Sequence, residues 1–250
     1  MIKYLPISGR ERQLLEEVET RELTVFSPFE ASKILGVERH TARKVLSSLT
    51  NKGGVRRIER GKYVLTRLYN ELDIYELVPH VYEPSYISMW SGLHYHGLTA
   101  QVPAVIHLVT TRYHKDFEMQ GKRITYVSVR PRMFFGYMAV GKAVIAEPEK
   151  LIIDCLAFPQ YSGGYNETKE AVEQAELDVG KLVEYAIHTQ SPTICSRLGH
   201  LLESSGIPFD EKRLIPHTSK SYVWLDPTSQ TKDYEPIIKW KIYANTGGFA

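Results

Sequence analysis

Apolar residues recur at helical spacing three times in the first fifty positions: Leu14, Leu15 and Val18, then Ala31, Ile34 and Leu35, then Ala42, Val45, Leu46 and Leu49. The boundaries carry matching polar signals. Ser8-x-x-Glu11 has the form of a capping box ahead of the first segment. Ser27 suits an N-cap and Pro28 the first helical position of the second. Gly36 supplies a tight turn, and Glu38 to Lys52 continues as a third helix. After Gly53-Gly54 the period changes: Val55 to Val64 reads as a strand, a turn at Gly61 and a returning strand. Three helices followed by a β-wing predict a winged helix-turn-helix over residues 1–70. Tyr69 to Pro84, with Pro79 and Pro84, reads as a connecting segment.

The remainder, residues 80–250, alternates less regularly and predicts a mixed α/β domain, so the fold class expected is α+β. Ser85 is placed to cap a helix running to about Leu93. Ala104 to Thr110, Arg123 to Val129 and Lys142 to Ala146 are β-rich runs. Pro148 opens a helix over Glu149 to Phe158 with an acidic first turn, and Gly163-Gly164 marks a loop. Helical segments are expected at Glu167 to Leu177, Lys181 to Thr189 and Pro192 to Ser204, the last capped by Ser191. Strand character returns at Ser221 to Leu225 and Ile237 to Tyr243, around the polar turn at Asp226-Pro227.

Charge changes the picture at one place. From Glu38 to Arg67 there are nine Lys/Arg against two Asp/Glu, an excess of +7, whereas the whole chain carries only +2. Everything else therefore sums to −5. Arg39, His40, Thr41, Arg43 and Lys44 lie off the apolar face of the third helix, and Arg56, Arg57, Arg60 and Lys62 tip the wing. Basic charge gathered on so small an element is the footprint of phosphate contact, with the third helix entering the major groove of double-stranded DNA. Five such side chains on phosphates would give a slope of log affinity against log salt of about −4.5. Base reading would fall to residues near the helix start, with Arg39 suited to guanine. A winged helix also serves as a dimerisation or protein-docking module, in which case the basic face is simply solvated.

The other candidate chemistry is sparse. His94, His96 and His107 raise a metal hypothesis, but positions two apart on a helix point to different faces and no acidic or cysteine ligand stands at matching spacing. A nuclease would need clustered carboxylates, for which Asp116, Glu118, Glu147, Asp154 and Glu167-x-Lys169 are the candidates. Glu147 and Glu149 read more simply as flanking a helix start, and Asp154 as a helix-surface or capping residue. No glycine-rich phosphate loop or nucleophile elbow is present. The expectation is therefore no enzyme, no cofactor and no metal. Cys155 and Cys195, each set among apolar residues, are expected as buried free thiols. No apolar run reaches the length of a membrane span. Met1-Ile2-Lys3-Tyr4-Leu5-Pro6 lacks a signal-peptide core, so a cytoplasmic protein is expected. Tyr82, Tyr86, Trp90 and Tyr95, and then Tyr222, Trp224, Tyr234 and Trp240, form two aromatic groups divided between core and interface roles.

The segments Tyr86-Ile87-Ser88-Met89-Trp90-Ser91-Gly92-Leu93-His94-Tyr95-His96-Gly97-Leu98-Thr99, Pro103 to Thr110 and Ile124 to Arg130 follow one another in the second domain. After them come Glu147-Pro148-Glu149-Lys150-Leu151-Ile152-Ile153-Asp154-Cys155-Leu156 with Gly163-Gly164, then Tyr222-Val223-Trp224-Leu225-Asp226-Pro227 and Lys239-Trp240-Lys241-Ile242. In this order they resemble the C-terminal domain of the AbiEi antitoxin family, most sharply at Glu147 to Leu156, with the last two segments matching its closing strands. The resemblance implies a bifunctional protein that is not an enzyme. Its first domain would repress its own operon through operator DNA, and its second would counter a nucleotidyltransferase-like toxin encoded next door. The acidic balance outside the wing region departs from the basic surface that family's second domain often presents. The toxin-contacting residues are not specified by the resemblance. A ligand-responsive winged-helix regulator without a toxin partner is the alternative reading.

Overall fold

The computed structural model describes residues 6–231 and 233–245; the start of the chain, Met1 to Leu5, on which the absence of a signal peptide was read, lies outside them. The chain divides into two compact units. One holds the residues up to Pro84 together with Phe117–Gly121 and Gly141–Ala143, and the other holds the remainder.

In the first unit, α1 (Gly9–Thr20), α2 (Pro28–Leu35) and α3 (Arg39–Asn51) precede a hairpin of β1 (Val55–Glu59) and β2 (Lys62–Leu65). Both expected caps are built. The Ser8 amide donates to Glu11 Oε2 at 2.6 Å and the Glu11 amide to Ser8 Oγ at 3.4 Å. Ser27 and Glu30 repeat the exchange at 2.6 and 3.3 Å. These bonds satisfy amides that the first helical turn leaves without partners. Gly36, at φ 62°, closes α2 in the left-handed region that only glycine enters cheaply. Leu14, Val18, Ala31, Ile34, Ala42, Leu46, Leu49 and Val55 form one buried cluster with Phe26, whose backbone makes an isolated antiparallel bridge to Tyr63 of the wing. Three helices followed by this hairpin are the winged helix-turn-helix arrangement. The segment read as a connector is instead structured: α4 (Thr66–Glu71), α5 (Ile74–Leu77) and a short 3-10 turn follow the wing. Ile74, Leu77, Val78 and Val81 are buried there. Their apolar spacing, rather than the two prolines, decides the conformation.

The second unit is built on a mixed sheet. Its elements in chain order are β3 (Ser85–Ile87), α6 (Met89–Tyr95), β4 (Val105–Thr110), β6 (Lys122–Ser128), β7 (Tyr137–Val140) and β8 (Ala143–Ala146), while β5 (Phe117–Met119) falls among the residues of the first unit. The strand order within the second unit is β6-β4-β3-β8-β7. β4 runs parallel to β6 over six residue pairs, and β3 is antiparallel to β4 and parallel to β8. Then come α7 (Pro148–Ala157), α8 (Tyr165–Gln174), α9 (Val179–His188), α10 (Pro192–Ser204) and α11 (Glu211–Leu214). A small sheet closes the unit, with β10 (Glu235–Ile237) and β9 (Val223–Trp224) on either side of β11 (Ile242–Ala244). The mixed α+β class expected from the sequence is the class observed.

Two local expectations are corrected. Ser85 opens a strand and not a helix, because Tyr86 and Ile87 pair with Val109 and Leu108 of β4, and the helix starts only at Met89. Ile237 to Tyr243 is a hairpin and not one strand: the chain turns through Ile238–Lys241, with Lys241 at φ 52°. The core centres on α7, where every residue from Glu149 to Leu156 is buried and which packs against α6, α8, α9 and α10. At Gly199 of α10, a Cβ would lie 2.2 Å from the ring of the fully buried Trp240, so glycine is what lets the indole reach the helix backbone. Cys155 and Cys195 are free and buried, and burial pushes the Cys195 thiol up to about 11.

Candidate nucleic-acid interface

The opening residues of α2, one face of α3 and the wing enclose a groove of about 690 Å³ within the first unit. Arg39 and Arg43, four positions apart on α3, present adjacent guanidiniums to it, and Arg57 and Arg60 line it from the wing. All four side chains are exposed. Among the described residues none of them has a carboxylate partner; Arg57 Nε donates only to the Glu59 carbonyl, at 3.3 Å. Ser27, Ser47 and Tyr63 complete the polar wall.

Phe29 is the residue that sequence reasoning missed. It is 46% exposed at the groove mouth, with Lys33 Nζ 4.3 Å and Arg39 Cζ 5.2 Å from its ring centroid. Cations over an aromatic face hold both partners in place. The signal was present in the sequence: Phe29 falls off the stripe set by Ala31 and Ile34, so the helix leaves a large apolar side chain facing water.

The remaining residues of the predicted set lie elsewhere. Thr41 and Lys44 line a separate hollow shared with Ser8 to Glu11 at the start of α1. His40 sits 3.0 Å from Glu38 through Nδ1 and 3.2 Å from Thr41 Oγ1 through Nε2. Arg56 stacks over Tyr69 with its Cζ 4.0 Å from the ring centroid, and Lys62 lies 5.2 Å above Tyr82. Alternation along β1 makes this division necessary, because Arg56 and Arg57 must point to opposite faces. Tyr82 in turn donates to Glu59 Oε2 at 2.8 Å, and burial followed by this carboxylate pushes its hydroxyl up to about 12.

Two cations in the +7 window serve the fold. Lys52 reaches Glu11, its Nζ 2.9 and 2.8 Å from the two carboxylate oxygens. Burial alone would raise the Glu11 carboxyl, but hydrogen bonds from Lys52, Ser48 and Ser8 outweigh it and bring it down to about 2. Arg67 pairs with Glu19 at 3.0 Å and Glu71 at 2.9 Å.

Of the carboxylates considered for a nuclease, all but Glu118 are engaged with separate partners among the described residues. Asp116 holds Arg123, Glu147 accepts from Tyr185 Oη at 2.6 Å and lies 3.1 Å from Lys181, and Glu167 accepts from Thr99. Glu118 lines a hollow with Arg56, Tyr69 and the Arg57 that also lines the groove. Asp154 is not on a surface at all. It is fully buried with Lys150, four positions earlier on α7, and accepts from Ser88 Oγ at 2.8 Å and Tyr86 Oη at 3.1 Å. Lys150 also donates to Tyr86 Oη at 2.9 Å. Burial first, then the Asp154 charge, pushes the Tyr86 hydroxyl well above its ordinary value. Among the described residues no three His, Cys, Asp or Glu side chains gather as a metal site. His96 bonds the Ala146 carbonyl at 2.9 Å, while burial lowers His107, set against the Tyr161 ring, to about 4.

Comparison with known proteins bears on the fold. No family model and no curated protein sequence matches the chain. The crystal structure of the RV2827C protein from Mycobacterium tuberculosis is similar at a TM-score of 0.54 and 11% identity, over 95% of this chain and 92% of that one. At that identity the likeness is one of fold. No helix among the described residues is long and apolar enough to cross a membrane.

Proposed function

We propose that this protein is a DNA-binding transcriptional repressor whose first unit grips double-stranded operator DNA through the groove between α3 and the wing. The observation that carries the reading is the set of four guanidiniums, Arg39, Arg43, Arg57 and Arg60, that line one groove without a carboxylate partner. Four neighbouring cations left unpaired repel one another, and a phosphate backbone relieves that repulsion while releasing its own counterions. Groups on both the helix and the wing are what a module straddling a groove and its flanking backbone requires. From the resemblance of its second domain to AbiEi antitoxins, we further propose that the repressed operon is its own. On the same basis the protein also counters a nucleotidyltransferase-like toxin in the cytoplasm, without itself being an enzyme.

The test of the first part is fluorescence anisotropy of full-length protein on labelled duplex from upstream of its own reading frame. Arg39→Ala with Arg43→Ala should weaken binding by at least about 30-fold at 0.15 M salt, two phosphate contacts being lost. Unchanged binding would remove the assignment of α3. The second part is tested by inducing the adjacent reading frame with and without this protein. Growth rescue by both the wild type and the double variant is expected, and failure of the wild type to rescue would remove the antitoxin role while leaving DNA binding standing.

A further inference from the structure

A hollow of about 750 Å³ opens in the second unit, between the end of α9, the start of α10 and the loop that follows α11. Its size falls within the range of roughly 300–1,000 Å³ usual for small-molecule sites. Ile187, Pro216 and the buried Cys195 give it an apolar wall. Its ionisable side chains are His188, His217 and Lys220, and no carboxylate lines it. Among the described residues, the side chains of His217 and Lys220 have no hydrogen-bonding or ionic partner. His188 is held edge-on against Phe135, its ring centroid 4.5 Å away. The first turn of α10 lies on the same wall and lacks a side-chain cap, so the positive end of that helix adds to the field without defining the site.

We propose that this hollow binds a small organic anion, a carboxylate or phosphate monoester on an apolar body. Lys220 and His217 meet the anionic group, while Ile187, Pro216 and Cys195 cover the body. A neutral ligand of the same shape leaves the ammonium without its counter-charge and gains only the apolar contact. The site is separate from the DNA groove and stands or falls independently of it.

Isothermal titration calorimetry on the full-length protein tests this with 1-naphthoate and 1-naphthyl phosphate as probes. Neutral 1-naphthalenemethanol and inorganic phosphate serve as half-ligand controls. At least one naphthyl anion is expected to saturate the protein and to bind about tenfold or more tighter than either control. His217→Ala with Lys220→Ala, both on exposed positions, should weaken the anion by about tenfold or more with an unchanged melting temperature. The proposal is overturned by absence of saturable binding up to about 5 mM, where affinity is too weak to signify a site. It is equally overturned if either control matches the naphthyl anions, or if the double variant binds them as the wild type does.

Discussion

Arg57→Ala with Arg60→Ala removes the wing's half of the groove while leaving α3 intact. Each phosphate neutralised on a duplex contributes about −0.9 to the slope of log affinity against log salt. Four groove arginines therefore account for a slope of about −3.6, and the wing variant should retain about −1.8 of it. Measured against 1 M salt, each contact is worth about 0.7 log unit at 0.15 M, so the pair should cost roughly 30-fold in affinity there and almost nothing at 1 M. The partner variant is Arg56→Ala. Arg56 neighbours Arg57 in sequence but stacks on Tyr69 away from the groove, so its slope should stay at the wild-type value. The assay is anisotropy titration of operator duplex at four salt concentrations between 0.1 and 0.4 M, with melting temperatures taken in parallel to verify folding. An equal slope change for Arg56→Ala and Arg57→Ala would refute the face assignment. An unchanged slope for the wing pair would refute phosphate contact by the wing altogether.

Three further outcomes are expected. Glu11 is held at about 2 in the folded chain, below its ordinary 4.5, so the stability it confers is present above about pH 4.5 and is lost as pH falls towards 2. Chemical denaturation across that window should show a loss on the order of 1–3 kcal/mol that Glu11→Gln no longer shows. Lys150→Met should destabilise by about 3–5 kcal/mol because it leaves Asp154 charged and buried, whereas adding Asp154→Asn should recover about 1 kcal/mol or more. Strict additivity in that cycle would mean that the two groups do not act as a pair. Gly199→Ala drives a methyl into the buried Trp240 ring and should lower the melting temperature by about 5 °C or more, overpacking costing roughly 1–3 kcal/mol.

What the sequence made legible was whatever local chemistry decides. Ser8 with Glu11, and Ser27 ahead of Pro28, announced their helices because the capping bonds close within three residues. Pro192 to Ser204 was read with its observed limits, although Ser191 supplies no side-chain cap. Elements decided by distant partners were misread. Ser85 had the composition of a helix cap, but pairing of Tyr86 and Ile87 with a strand some twenty residues later overrode it. Tyr137 to Val140, between two glycines, gave no alternation to mark it as a strand, since all four residues are exposed. The same division runs through the site. That the window from Glu38 to Arg67 is basic was plain; which cations are free was not. Lys52 meets Glu11 across forty-one positions, Arg67 meets Glu19 across forty-eight, and Lys62 lies over Tyr82. Asp154 followed Lys150 at helical ion-pair spacing, a pattern common on surfaces. Only the arrival of Tyr86 and Ser88 from another segment shows that the pair is a core network.

The pairing pattern also bears on the kinetics of the proposed DNA contact. A net charge of +2 gives the molecule little long-range pull on a polyanion, and the sum of −5 outside the basic window opposes even that. The field that matters is local, reaching about 8 Å at physiological ionic strength. In the winged unit these carboxylates have partners other than the groove arginines: Glu11 with Lys52, Glu30 with the Ser27 amide, Glu59 with Tyr82, Glu19 and Glu71 with Arg67, and Glu38 with His40. Each such bond occupies an acid, and among the described residues no carboxylate lines the groove. The arrangement thus gains contrast by occupying its acids and not by adding further cations. Its consequence is kinetic: with steering weak and contact charge strong, loss of groove arginines should appear mainly as faster dissociation from DNA, with association rates shifting far less.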